Sequence, residues 1–192
     1  DGAQLSGWLL RVRGDRGIIH NHFGVQCSRA GYTPKGKGMI KMWKENISFL
    51  RQAKYLVAQG YSVLIYDLRN HGDSGAGSIP WVSWGPEEAK ATIAAARYVS
   101  HHPDYENAQV GLLSVCMGAA SCTYAYGMKD GLQNFSNIKA MMAVQPLHYS
   151  EFVKAFGMPK FLVDAGDKLT LERTGYDLQS VTFMDDVHQI TV

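Results

Sequence analysis

The chain is predicted to be an α/β protein with a mostly parallel, doubly wound sheet, and three observations carry that prediction. Tyr61 to Asp67 and Gln109 to Val115 are nearly continuous apolar runs, as strands covered on both faces should be. Segments with helical spacing separate the strand-like runs. The order strand, helix, strand, helix then calls for crossover connections between parallel strands. With 192 residues the chain is the size of one domain.

The elements follow in order. Gln4 to Val12 reads as a strand behind the turn Asp1-Gly2, and Gly17 to His22 as a short strand. A polar, glycine-rich loop, Gly31 to Gly38, comes next. Trp43 to Gln59 has helical spacing in Ile47, Leu50, Ala53, Leu56 and Val57, with Gly60 as its stop. After the strand Tyr61 to Asp67, Pro86 to Ser100 reads as a helix. Pro86 stands near its first position, and Glu87 and Glu88 lie in its first turn, where the helix dipole favours negative charge. Gln109 to Val115 is a buried strand, Met117 to Tyr126 a small-residue helix, and Ile138 to Gln145 the next strand. Beyond Pro146 the pattern breaks into short amphipathic pieces. The sequence therefore divides into a core, 1–146, and a cap or lid segment, 147–192.

Composition narrows the function classes. The chain is 46% hydrophobic and 19% charged, ordinary for a globular protein. Its formal charge is 19 − 17 = +2, too small an excess to mark a nucleic-acid or anionic membrane surface. No apolar run is long enough to span a bilayer. The three cysteines, Cys27, Cys116 and Cys122, have neither zinc spacing nor the even count of a disulfide framework, which points to a reducing, cytoplasmic compartment and to no metal. There is no G-x-G-x-x-G after a strand. Lys35, Lys37, Lys41 and Lys44 lack the phosphate-loop pattern, so no cofactor is expected. The chain opens at Asp1 and not at methionine, which leaves room for a leader or a first strand ahead of it.

In open α/β sheets chemistry gathers at the carboxyl ends of the strands. The most informative of these ends is Ser114-Val115-Cys116-Met117-Gly118, a small-x-nucleophile-x-small pattern between a buried strand and a helix. Such a turn forces its central residue into a strained conformation and displays it at the helix N-terminus. Helix amides there favour a thiolate, so a lowered pKa is expected for Cys116, with the Met117 amide placed to donate to an oxyanion. Alone, an S-x-C-x-G would more often be a small buried core cysteine. The flanking strand and helix favour the nucleophile.

Three further segments carry a resemblance. Asp1-Gly2-Ala3-Gln4-Leu5-Ser6-Gly7-Trp8 is similar to a "DGxxLxGW" opening, Ile18 to Gly24 to an "HG" loop, and Tyr66 to Gly75 to a "D-x-R-G-H-G-x-S" turn. With the elbow, in this order, they resemble the α/β-hydrolase fold superfamily over roughly residues 1 to 146, esterase- and peptidase-like members in particular. The cysteine at the elbow is similar to that of dienelactone-hydrolase-type members. The resemblance implies an acyl hydrolase or acyl transferase acting on a small ester, thioester or amide through a thioester acyl-enzyme. It also implies an oxyanion hole from the amide of Met117 and that of Gly24 or Phe23. Phe23 stands where the family usually has glycine, and Asn70 replaces the glycine of the turn, a residue that tolerates positive φ.

The resemblance further implies an acid and a histidine downstream of the nucleophile. Two readings stay open. In one, Pro159 to Asp167 is the acid-bearing strand, with Asp167 or Asp164 as the acid and His188 as the base. In the other, which is favoured, the chain is truncated before the last strands of the sheet. The acid and base then lie beyond Val192, and this chain alone is inactive or slow. Lys160 and Asp164 interrupt the proposed strand, and His188 stands at helical spacing to Met184. His22 and His148 are expected to line the substrate pocket. His20 alternates with His22 on one strand, and His71 is expected to hold its turn by hydrogen bonding. The contrasting function class is a non-catalytic hydrolase-like binding module with a buried thiol.

Overall fold

The computed structural model describes residues 1–24, 27–33 and 44–192. Five strands form the main sheet: β1 (Gly7–Leu10), β2 (Arg16–Asn21), β5 (Ser62–Tyr66), β6 (Gln109–Val115) and β7 (Ile138–Val144). A small antiparallel pair, β3 (Gly31–Tyr32) and β4 (Ile47–Ser48), lies outside it. The helices are α1 (Phe49–Ala58), α2 (Pro86–Ser100), α3 (Met117–Gly127), α4 (Tyr149–Ala155) and α5 (Lys160–Thr174), followed by a 3-10 helix, Phe183–Gln189.

The sheet runs β1-β5-β2-β6-β7. β5, β2, β6 and β7 are parallel, and β1 closes one edge antiparallel to β5. β5 is buried at all five positions. On one face Ile19, Leu64, Leu112 and Met117 pack with the alanine-rich side of α2 and with α3. On the other, Ile65 packs with Phe49 of α1, Phe23, Cys27 and Tyr32. Gly7 lets β1 approach: a Cβ there would sit 3.0 Å from that of Tyr66. The turn after β5 is clamped by the fully buried Asp67. Its carboxylate accepts from the guanidinium and amide of Arg29 and from the Asp73 amide.

The helices α2 and α3 start where the sequence signals place them, and β6 matches its expected span. Two readings change. The first helix begins at Phe49 and not at Trp43, because Ile47 and Ser48 pair with Tyr32 and Gly31 and the Ser48 hydroxyl then caps the Arg51 amide. Trp43, Lys35, Lys37 and Lys41 lie outside the described residues. Pro159 to Asp167 is not a strand. It opens α5, with Pro159 ahead of the first turn, the i,i+4 pair Lys160–Asp164 at 2.7 Å, and Gly175 as a left-handed stop at φ 78°. β7 forms where Ile138 to Gln145 was expected as a strand, and it is open to solvent: Met142 is 62% exposed, and Lys139, Ala140 and Ala143 are exposed as well.

Candidate active site at the β6–α3 elbow

Cys116 is the first residue after β6 and the N-cap of α3. Its backbone stands at φ 51°, ψ −112°, a region that disfavours any side chain with a Cβ. The surroundings enforce it. The Cys116 amide donates to the Val144 carbonyl of β7 at 2.8 Å, and the amides of Ala119 and Ala120 both donate back to the Cys116 carbonyl at 3.0 Å. Two residues on, Gly118 crosses directly over the end of β2. A Cβ there would lie 2.5 Å from the His22 carbonyl oxygen and 2.6 Å from that of Asn21. That crossing is the physical reason for the small residue at this place in the pattern.

A buried polar lattice supports the elbow from behind. The Asn21 amide donates to the Ser114 hydroxyl at 3.0 Å and to the Cys122 sulfur at 3.2 Å. Ser114 and Cys122 meet at 2.9 Å, and the Tyr66 hydroxyl donates to the Asn21 carbonyl oxygen. Ser114 is thus a brace between β2, β6 and α3. The sequence pattern shows only that a small residue belongs at this position.

The thiol is half-buried against the cluster of Phe23, Cys27 and Phe49. The Met117 amide hydrogen-bonds its sulfur, as expected for the first amide of the helix. The expectation of a lowered pKa is nevertheless reversed. Burial pushes the Cys116 thiol above its ordinary 9.0, and the Met117 hydrogen bond only moderates the rise.

Gly24, after β2, adopts φ 71° and lies against the Met117 side chain, which a Cβ would strike. The His71 Nε2 would be 3.4 Å from the same Cβ. Gly24, Met117 and His71 therefore converge beside the elbow. Phe23 is buried edge-on against Phe49.

The other sequence-predicted residues are placed as follows. His22 is fully buried, a correction to its expected place lining a pocket. Strand alternation turns its ring into the core beneath the loop, where the Gly24 and Leu68 amides each lie 3.0 Å from one of its two ring nitrogens. His20 is buried against Phe49 and bonded to Gln52. His71 Nδ1 donates to the Arg69 carbonyl at 2.7 Å and holds its turn, as expected. His148 caps α4, with Nε2 donating to the Val181 carbonyl and Nδ1 bonded to Ser150, and it borders a small cavity with Trp84 and Tyr149.

Asp167 sits on α5 and accepts from Gln179, and Asp164 is paired with Lys160. His188 is exposed on the 3-10 helix and contacts Gln189. That segment packs on the far end of α3, where Asp186 meets Gly127, about 16 Å along the helix axis from Cys116. Among the described residues no hydrogen bond joins Cys116 to an imidazole or a carboxylate.

An aromatic cavity of about 540 Å³ lies at the carboxyl end of the sheet. Trp81 and Trp84 line it from the loop after β5, and Tyr149, Phe152 and Met158 line it from the cap. Trp84 is held at φ 61° and packs at a tilt against Tyr149 and Phe152, at 5.0 and 5.1 Å between ring centroids.

No family model and no curated protein sequence matches the chain. Solved structures do. The esterase Pf2001 of Pyrococcus furiosus superposes with a TM-score of 0.65 and 21% identity, over 98% of this chain and 63% of that one. The α/β hydrolase GrgF from Penicillium sp. sh18 gives 0.59 and 18%, over 99% and 73%. The esterase EaEST from Exiguobacterium antarcticum gives 0.55 and 14%, over 100% and 75%. The chain thus spans less than two thirds of the length of the Pyrococcus esterase. With the strand order, the antiparallel edge strand and the strained residue between β6 and α3, these superpositions establish that the chain has the α/β-hydrolase fold.

Proposed function

We propose that this chain carries the nucleophile half of an acyl hydrolase, with Cys116 attacking a carboxylic ester. The observation that carries the reading is the strained Cys116, held at φ 51° with the Met117 amide at its sulfur. Strain of this size persists only where the surrounding structure over-determines it, and it clusters at functional sites. The sulfur would add to the ester carbonyl carbon, and the negative charge on the carbonyl oxygen would be met by the Met117 and Gly24 amides. On collapse the C–O bond breaks, the leaving alkoxide takes up the proton given by the thiol, and a thioester remains for water to hydrolyse. Two such donors are commonly worth about 3 kcal/mol of barrier each. The aromatic cavity suits an apolar acyl or alcohol group.

A protonated thiol needs a base. His188 and Asp167, the pair of the first sequence reading, lie on separate elements and are engaged with Gln189 and Gln179. The proposal therefore assigns base and acid to the part of the fold that these residues do not span. A second reading, a binding module without chemistry, is favoured by one observation: burial keeps the thiol protonated.

Alkylation separates the two. With iodoacetamide on the native chain, the hydrolase reading expects labelling at Cys116 alone, because Cys27 and Cys122 are buried. The rate should keep climbing with pH beyond 9, and Cys116→Ala should abolish it. Labelling that begins only on unfolding leaves the binding module.

A further inference from the structure

Trp84, like Cys116, stands at positive φ, 61°. That conformation is unfavourable for a bulky side chain and persists only where the neighbours over-determine it. Glu88 does so here. Its fully buried carboxylate accepts from the Ser83 amide at 3.1 Å, the Ser83 hydroxyl at 2.7 Å and the Gly85 amide at 2.8 Å. Both chain neighbours of Trp84 are thus held by one side chain. Gly85 is hemmed in as well, since a Cβ there would lie 2.5 Å from Cε2 of Tyr124. So constrained, the indole forms part of the wall of the aromatic cavity.

The rest of that wall is equally fixed. Asn70 also stands at positive φ, 62°, and its amide nitrogen donates to the carbonyls of Ile79 at 3.2 Å and Trp81 at 2.9 Å. The Trp81 indole N–H donates to the Thr170 hydroxyl at 3.2 Å, and the Arg173 guanidinium lies 4.5 Å from the centre of the Trp81 ring. The side-chain N–H groups of Asn70 and Trp81 therefore hold the wall in place and are not free for a ligand. What the wall offers is ring surface. Trp84 meets Tyr149 at 59° and Phe152 at 48°, tilts at which the edge of one ring approaches the face of another. A further aromatic ring extends that array, whereas a saturated ring of the same size contributes dispersion alone. A cationic ring fits less well, because Arg173 already places a positive charge at Trp81.

We infer that this cavity is a binding site for an uncharged aromatic ring of about naphthyl size, and that Trp84 is the residue that recognises the ring. The strain at Trp84 sets the indole in place before a ligand arrives, and a preorganised wall loses little freedom on binding. In taking the ring to be the acyl or alcohol part of an ester at Cys116, the inference rests on the hydrolase reading. The ring site itself does not.

The test titrates the whole 15N-labelled chain with 2-naphthol and, separately, with its saturated counterpart decahydro-2-naphthol. Binding is read from the indole 1H–15N resonances, assigned with Trp81→Phe and Trp84→Phe. The resonances of Trp81 and Trp84 should shift, while that of Trp8, whose ring lies under Arg29 on β1, should stay. 2-Naphthol should bind about tenfold tighter than the saturated alcohol. Equal affinities, or no shift at Trp84, overturn the inference and leave Trp84 as a clamp between the core and α4. 2-Naphthylmethylamine, a cation at neutral pH, should bind more weakly than 2-naphthol. Tighter binding of the amine overturns the choice of an uncharged ring.

Variants separate recognition from folding. Trp84→Leu keeps apolar bulk, removes the ring, and should cut the preference for 2-naphthol to about twofold or less, read at Trp81. Trp84→Phe keeps a ring and should retain most of the preference. A general loosening of the cavity would weaken both alcohols alike, so an unchanged preference in Trp84→Leu counts against the inference. Should Trp84→Leu fail to fold, the ratio in the parent chain still decides. The hydrolase reading fails separately: a native chain whose Cys116 resists iodoacetamide while Trp84 prefers 2-naphthol keeps the ring site and loses the ester.

Discussion

Gly118→Ala isolates the contact on which the elbow depends. In an ordinary helix this change stabilises by about 1 kcal/mol, since alanine is the better helix former. Here the new methyl would stand 2.5 and 2.6 Å from two carbonyl oxygens and 2.8 Å from the Asn21 carbonyl carbon. A carbon is comfortable no closer than about 3.3 Å to such an oxygen, so the start of α3 must rise by about 0.8 Å. Neither partner is a flexible side-chain tip. Both belong to the backbone at the end of β2, which Asn21 ties to Ser114 and Cys122. Overpacking of this kind costs about 1–3 kcal/mol, which outweighs the helix gain. Set against the helix gain, the net loss of up to about 2 kcal/mol lowers the melting temperature by up to about 8 °C in a chain of this size. The same shift carries the Met117 amide away from the sulfur, so the pH at which iodoacetamide reaches half its limiting rate should rise. Thermal unfolding and alkylation together make the assay. A variant as stable as the parent, with an unchanged alkylation profile, would show that α3 does not cross β2 at this distance.

Other perturbations test the lattice around the elbow. Asn21→Ala removes the acceptor of the Tyr66 hydroxyl and the donor to Ser114 in a fully buried site, and should cost about 3 kcal/mol in urea unfolding. Glu88→Ala should cost about 2–4 kcal/mol, because its carboxylate accepts from the Ser83 amide and hydroxyl and from the Gly85 amide at the start of α2. Glu88→Gln keeps one of the oxygens and should recover about half of that. Burial lowers the pKa of both His20 and His22, so the unfolded chain takes up protons near 6.5 while the folded chain does not. Stability is then complete above pH 6.5 and lost as pH falls below it, at up to about 1.4 kcal/mol per pH unit for each ring. Measured by urea midpoints from pH 8 to 5, that slope should flatten by one proton in His22→Gln.

The elbow was legible because its pattern has a local cause. A strand, a tight bend and a helix make demands on residues within two positions of one another, and Ser114, Cys116 and Gly118 meet them. The helix Pro86–Ser100 was legible for the same reason, with Pro86 and Glu88 both marking its start. Where partners lie far apart in sequence, less could be read. Nothing near Trp43 announces that Ile47 and Ser48 pair with Gly31 and Tyr32, and that pairing delays α1. The stretch Lys160 to Asp167 held its own correction: a Lys–Asp pair four apart and a glycine just past Thr174 are helix signals. The aromatic cavity draws on residues from 70 to 170, and no spacing rule joins those.

The protonation of Cys116 came out opposite to the sequence expectation, and the competing magnitudes explain why. A helix N-terminus stabilises an adjacent negative charge by about 0.3–1 kcal/mol, and by about 2 in favourable, partly buried geometry. Removing a thiolate from water beside Phe23 and Phe49 costs several kcal/mol unless a cation or several donors replace the lost hydration. Among the described residues only the Met117 amide donates to this sulfur, so burial wins. On the proposed hydrolase reading the elbow would activate by position. It would fix the direction of attack and keep amides aligned for the charge that develops on the carbonyl oxygen, where that charge is worth more than on the resting sulfur. Such a nucleophile depends on a base that takes its proton only as the C–S bond forms. An imidazole held against the sulfur would bring the onset of alkylation down toward neutral pH, and the size of that shift would measure what the base contributes.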